Sequence, residues 1–242
     1  MRVVFMGTPE FSVPILRALV ENGYEVAGVF TQPDKPKGRG GKVQMTPVKE
    51  YALSQNIPVF QPLKIRKDGL DDLKSLAPDL CVTAAFGQIL SQEVLDVPKI
   101  GTVNVHTSLL PRHRGAAPVQ WTVWQGETVT GVTTMFTDAG IDTGDMLLTS
   151  ETPVGARETA GELFDRLAQS GAELLTETLV RLDEITPRPQ NDAESCYAHM
   201  LDKKMAVIDW SKSARELDCL VRGLNPWPIA LTSLAGERLK IY

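Results

Sequence analysis

Residues 79–86, DLCVTAAF, form a nearly continuous apolar run. A short strand of this kind is stable only when covered on both faces, as in the middle of a parallel sheet. Its neighbours in the first half of the chain suit that setting. Val3–Met6, Glu25–Thr31, Val59–Phe60 and Gly101–His106 read as further strands, with helical patterns between them. The first helix is expected to run to about Asn22, with Thr8 as N-cap, Pro9 in its first position and Gly23 as its stop. Pro14 leaves a later start near Ser12 open. Alternation of this type predicts βαβ units. The expected fold is therefore α/β and Rossmann-like, a mostly parallel sheet with helices on both faces.

Further along, Val119–Gln125 is expected to be helical. Gly131–Phe136 and Met146–Thr152 then read as two strands flanking a tight segment, Asp138–Asp145. Their proximity predicts antiparallel pairing at the edge of the sheet. Thr159–Arg181 is an amphipathic helix opened by a capping box, Thr159 to Glu162. A catalytic domain over residues 1–183 follows from this pattern. Residues 184–204 lose periodicity and gather Pro, Asn and Asp, which reads as a linker. From 205 a new unit starts, with a strand at Ala206–Trp210, a helix at Ser213–Gly223 and a strand after Asn-Pro-Trp-Pro. Its 38 residues cannot easily bury a core of their own. The piece is either docked on the first domain or the beginning of a longer one.

Composition removes several function classes. The chain has 242 residues, is 43% hydrophobic and carries a net charge of −5. No apolar run approaches the roughly 20 residues that cross a bilayer, and MRVVFMGTPEF lacks a secretory layout. Cys81, Cys196 and Cys219 are odd in number and widely separated, which fits a reducing cytoplasm. No Cys/His cluster has metal-ligand spacing, so no metal is expected. After the first strand, Gly7-Thr-Pro-Glu-Phe-Ser keeps only the first glycine of a dinucleotide fingerprint, and strand two ends in Thr31-Gln32 without an acid for a ribose. Gly38-Arg-Gly-Gly-Lys42 lacks the spacing of a phosphate loop.

Chemistry concentrates in GTVNVHTSLLPRHRGAAP, residues 101–118, which holds two of the three histidines. With a side-chain period of two, Val103 and Val105 face one way while Asn104 and His106 face the other. An amide and an imidazole thus leave the carboxyl end of a buried strand, where ligands bind in open α/β sheets. The segment 138–145 offers three carboxylates, and Asp142 is best placed to meet the imidazole. The same segment also reads as a structural turn capped by Asp138 and Asp145. Amide, imidazole and carboxylate suit direct acyl transfer between two bound substrates. Asn104 and His106 would donate to the developing oxyanion. His106 and Asp142 would move the proton of the attacking amine.

The motifs GTPEF, AAFGQIL (84–90), NVHTSLLPRHRGAAP (104–118), DAGIDTGDM (138–146), IDW (208–210) and GLNPWPIA (223–230) resemble the methionyl-tRNA formyltransferases, along essentially the whole chain. The resemblance implies formyl transfer from 10-formyltetrahydrofolate to the α-amine of initiator methionyl-tRNA, for translation initiation. It assigns catalysis to Asn104, His106 and Asp142. A folate pocket is implied at Phe86, Gly87, Gln88, Ile89 and Leu90, at Ser108, Leu109, Leu110 and Pro111, and at Asp138 in the loop before Asp142. Residues 34–49 hold five basic residues against one acid. Such a segment reads by itself as a solvated loop, and beside the resemblance as a phosphate-reaching one. Lys35, Lys37, Arg39 and Lys42 are the candidate tRNA contacts. Residues 205–242 would begin an OB-like barrel that this chain leaves incomplete. A monomer without membrane association is expected. Two other readings remain at this point: a formyltransferase for a small amine such as an amino-sugar nucleotide, and a non-catalytic folate- or tRNA-binding fragment.

Overall fold

A computed structural model describes residues 1–37 and 42–242. In chain order the elements are β1 (Arg2–Gly7), α1 (Ser12–Glu21), β2 (Glu25–Phe30), β3 (Lys35–Lys37), β4 (Lys42–Gln44), α2 (Pro47–Ser54), β5 (Val59–Phe60), α3 (Leu70–Ser75), β6 (Leu80–Ala84), α4 (Gln92–Leu95) and β7 (Gly101–His106). They continue with β8 (Arg114–Gly115), α5 (Pro118–Trp124), β9 (Val129–Phe136), β10 (Met146–Pro153), α6 (Ala160–Val180), β11 (Tyr197–Ala198), α7 (Ala214–Gly223), β12 (Ala230–Leu234) and β13 (Glu237–Ile241). By contacts the chain divides into two compact units. One comprises 1–106, 134–148 and 168–189; the other comprises 107–133, 149–167 and 190–242.

The first unit is built on a sheet whose strand order is β10-β9-β7-β6-β1-β2-β5. β1 pairs in parallel with β2 and β6, β2 with β5, and β6 with β7. From β1 the chain winds outward through β2 and β5, then crosses back to β6 and β7. The order therefore reverses between β1 and β6, and their carboxyl ends flank the natural ligand crevice. All five residues of β6 are buried, as its apolar run requires. Val4, Met6, Phe30, Ile65, Leu73 and Cys81 pack into one core, with Phe86 and Leu90 at its margin. Burial pushes the Cys81 thiol up to about 12 and holds it as an inert thiol.

β9 and β10 are antiparallel at the sheet edge. The Phe136 N–H donates to Asp145 O (2.9 Å) at one end, and the Val154 N–H to Thr128 O (2.9 Å) at the other. Thr137 N–H donates to Thr102 O (2.8 Å), tying β9 to β7.

The first helix begins at Ser12 and has no side-chain cap, so the later of the two expected starts is correct. Thr8 is used elsewhere: its hydroxyl donates to Phe86 O (3.0 Å) and accepts from the Gln32 N–H (3.2 Å). A tertiary hydrogen bond has outcompeted the local cap.

In the second unit, Ala117, Leu201, Ala206 and Leu224 form a small core, flanked by Trp121 and Trp124 stacked at 5.0 Å. Stretch 184–204, read as a linker, holds short elements of its own. It carries a 3-10 turn at Asp192–Glu194, and β11 pairs in parallel with β8. The strand expected at Ala206–Trp210 is reduced to a single parallel bridge, Val207 with Leu231, beside which the Ile208 N–H donates to Leu231 O (2.8 Å). A 3-10 turn occupies Lys203–Ala206, and the Asp202 carboxylate accepts from the N–H groups of Lys204 (2.6 Å) and Met205 (3.1 Å). Helix α7 has the capping box its sequence encodes, Ser213 with Glu216. β12 and β13 form an antiparallel hairpin.

Candidate active site

Three side chains from the carboxyl side of the sheet converge in the first unit. β7 delivers Asn104 and His106, two residues apart and on one face. The loop between β9 and β10 delivers Asp142. Asn104 Nδ2 lies 3.5 Å from Asp142 Oδ1, and His106 Nδ1 lies 3.7 Å from Asp142 Oδ2. The His106 side chain is 7% exposed and that of Asp142 20%. The imidazole is thus shielded, and the carboxylate reaches it from a more open side. Both separations exceed a direct bond of about 2.7–3.2 Å. Asn104 is held from its other side, where the Thr83 hydroxyl donates to Asn104 Oδ1 (2.9 Å).

The loop that presents Asp142 is fixed by its own sequence. Asp138 Oδ1 accepts from the Gly140 N–H (3.0 Å) and from the Thr143 hydroxyl (2.7 Å). Asp142 itself has φ 53, a left-handed conformation that aspartate tolerates better than most residues. At Gly144 the backbone passes so close to β9 that an added Cβ would fall 1.9 Å from Phe136 O. The Asp138 carboxylate is therefore engaged within the loop it shapes.

Residues 86–90 follow β6 at the point where the strand order reverses. Phe86 and Leu90 are buried, while Ile89 is 71% exposed. The loop is anchored through side chains. Gln32 Nε2 donates to Phe86 O (3.2 Å) and Gly87 O (3.3 Å). Gln88 accepts from the Ile65 N–H (2.7 Å) and donates to Pro62 O (3.0 Å). Among the described residues, no backbone N–H from Gly87 to Leu90 donates to a protein acceptor. Free peptide groups beside an exposed apolar side chain fit the edge and face of a flat, hydrogen-bonding ring system.

Ser108–Pro111 belong to the second unit. The Ser108 hydroxyl donates to Arg112 O (2.7 Å), and Thr133 Oγ1 donates to Ser108 O (2.7 Å) and accepts from the Leu110 N–H (3.1 Å). His113, the other histidine of the motif, is buried with Nε2 3.0 Å from Glu127 Oε1. Burial raises the Glu127 pKa, but bonds from His113 and Arg112 outweigh it and hold the carboxyl below its usual range.

Of the basic segment, β3 and β4 form a two-stranded antiparallel ribbon, with Lys35 opposite Gln44 and Lys37 opposite Lys42. Arg39 lies outside the described residues. The ribbon's base is tied down. Lys49 Nζ donates to Asp34 Oδ2 (2.6 Å) and Gln61 Oε1 (2.7 Å), while Gln61 Nε2 donates to Asp34 Oδ1 (2.7 Å). Thr31 and Thr46 hydroxyls meet at 2.8 Å. Periodicity gives no hint of this clasp; its only sequence signal is an acid and a base bracketing the glycine-rich stretch.

The Lys49 bond holds the Asp34 carboxyl below its ordinary 3.8. A lowered carboxylate pKa adds stability above 3.8, and that gain fades as pH falls through the lower folded value. Asp34→Asn is expected to melt below the parent at pH 7, and the gap should close in strong acid. Parallel melting curves from pH 7 to 2 check this; a gap that persists in acid contradicts it.

A profile described as Formyl transferase matches residues 1–179, and one described as Formyl transferase, C-terminal domain, matches residues 200–242. The chain belongs to the formyl transferase family. A relative described as methionyl-tRNA formyltransferase from Acetivibrio thermocellus is 56% identical over all of this chain and 79% of its own length. The crystal structure of a 4-N formyltransferase from Francisella tularensis shares the fold with a TM-score of 0.76, covering 99% of this chain and 96% of that one at 18% identity. HypX from Aquifex aeolicus in complex with tetrahydrofolic acid matches with a TM-score of 0.72 at 18% identity, over 100% of this chain and 37% of that one. The Rossmann-like architecture expected from the alternating strands is thereby established, and so is the formyl transferase family.

Proposed function

We propose that this chain transfers a formyl group from 10-formyltetrahydrofolate to the α-amine of methionyl initiator tRNA, in the cytoplasm and for translation initiation. The observation that carries the reaction is the convergence of Asn104, His106 and Asp142 at the carboxyl side of the sheet. The acceptor rests on the 56% identity to a methionyl-tRNA formyltransferase over the full chain. Two sugar formyltransferases share only the fold, at 20% and 17% identity. Three free thiols suit a reducing compartment.

When bound, the folate supplies an activated formyl carbon. The free N–H groups of Gly87–Leu90 hydrogen-bond its ring edge while Phe86, Ile89 and Leu90 wall it. Asp138 holds the loop that carries Asp142. As the amine attacks, negative charge gathers on the formyl oxygen. Asn104 Nδ2 and the His106 ring donate to it, and preorganised donors of this sort are each worth about 10²–10³ in rate. Asp142, on the open side of His106, accepts the amine proton directly or through water. The proton then passes to the departing nitrogen, which balances the transfer.

Lys35, Lys37, Arg39 and Lys42 contact acceptor phosphates. Replacing Lys35 and Lys37 by glutamate is expected to raise the KM for methionyl-tRNA roughly tenfold or more. The slope of log affinity against log salt should fall by about one per lost contact. Folate affinity should stay unchanged. Steady-state kinetics at three salt concentrations test this. An unchanged KM removes the basic segment from recognition, and turnover with an amino-sugar nucleotide but not methionyl-tRNA replaces the acceptor.

A further inference from the structure

We infer that Thr83 is a positioning residue for formyl transfer, acting by anchoring the Asn104 amide with Nδ2 turned toward Asp142; this rests on the reading of Asn104 as an oxyanion donor. Thr83 is the one hydroxyl in β6, a strand otherwise apolar and wholly buried. In the parallel register it stands directly opposite Asn104 on β7 and opposite Met6 on β1. Met6 offers its hydroxyl no polar partner. Thr83 is 7% exposed, and its hydroxyl makes no other side-chain hydrogen bond among the described residues.

An asparagine side chain can face a site in two ways that differ in chemistry. With Nδ2 toward the reacting carbonyl it donates to an oxyanion; flipped, it presents a carbonyl oxygen that repels one. The Asp142 carboxylate, which can only accept, selects the donating orientation, and Thr83 anchors it. The Thr83 hydroxyl donates to Oδ1 at 2.9 Å on the buried side, and the Asp142 carboxylate faces Nδ2 at 3.5 Å on the open side. The 3.5 Å contact is too long to restrain the amide firmly. Thr83 is thus the closer restraint, and it acts before any substrate arrives. A hydroxyl can also accept from Nδ2, so Thr83 does not forbid the flip by itself. It completes the donating arrangement by satisfying a half-buried carbonyl that would otherwise lack a partner.

The test is steady-state formyl transfer to methionyl-tRNA with Thr83→Val, Thr83→Ser, Asn104→Ala and the double variant Thr83→Val/Asn104→Ala, with melting temperatures recorded for each. Thr83→Val keeps the shape and removes the donor. It is expected to lower kcat roughly tenfold while both KM values stay within about twofold. Thr83→Ser should keep turnover within about twofold of the parent. In the Asn104→Ala background, Thr83→Val should cost nothing more, because its whole effect runs through the amide. Should the valine variant fold poorly, Thr83→Ala reads the same quantity. Wild-type kcat in Thr83→Val beside a slow Asn104→Ala overturns the role of Thr83 alone. So does an equal tenfold loss in both backgrounds, which would mark a packing effect. Wild-type kcat in Asn104→Ala overturns the parent reading of Asn104, and this inference with it.

Discussion

His106→Ala is expected to slow formyl transfer by about a thousandfold while folate affinity stays within about twofold of the parent. His106 is buried and 3.7 Å from Asp142, and the loop assigned to the folate ring, 86–90, is anchored by Thr8, Gln32 and Gln88 instead. Losing an oxyanion donor costs about 10²–10³, and losing a proton carrier costs about 10²–10⁴. The two roles share one ring, so their costs do not simply multiply. Single-turnover kinetics, with folate binding measured by calorimetry, check the split. Turnover within tenfold of the parent contradicts the assignment, and lost folate binding moves His106 into the pocket wall.

Gly144→Ala is expected to be nearly as damaging without touching a reacting group. The new methyl would sit 1.9 Å from Phe136 O and 3.3 Å from the Asp138 N. These are backbone atoms of the strand and loop beside it, and they cannot step aside as a flexible side chain could. The loop must swing away, carrying Asp142 with it. A misplacement near 1 Å costs about a hundredfold in rate, and overpacking costs about 1–3 kcal/mol in stability. For a chain of this size that is roughly 2–12 °C in Tm. A variant with the parent's Tm and kcat/KM contradicts the close approach.

The strand framework and the pairing of Asn104 with His106 were legible because both rest on short-range periodicity. Val103 and Val105 against Asn104 and His106 is a period of two, and it places the amide and imidazole together whatever the rest of the chain does. Asp142 was harder, since a DxGxDTGD turn that caps itself reads the same on paper. The structure shows both at once: Asp138 holds the turn while Asp142 faces the histidine. What could not be read were contacts set by register between distant strands. Thr83 looks like one more β-former in an apolar run until β6 and β7 align it with Asn104. Thr8 looks like a helix cap until Phe86 O arrives to claim it. The Asp34–Lys49–Gln61 clasp likewise joins residues that only the folded chain brings close. The strand expected at Ala206–Trp210 survives only as the Val207–Leu231 bridge, with its first residue taken into the turn that Asp202 caps.

Asp142 reaches its partners only because β9 lies along β7 at the margin of the sheet. A half-folded chain with β1, β2, β6 and β7 assembled would already hold the amide and imidazole, yet would lack the acid. Recovery of turnover after denaturation would therefore require that margin to have closed, so an intact central sheet alone would not restore activity.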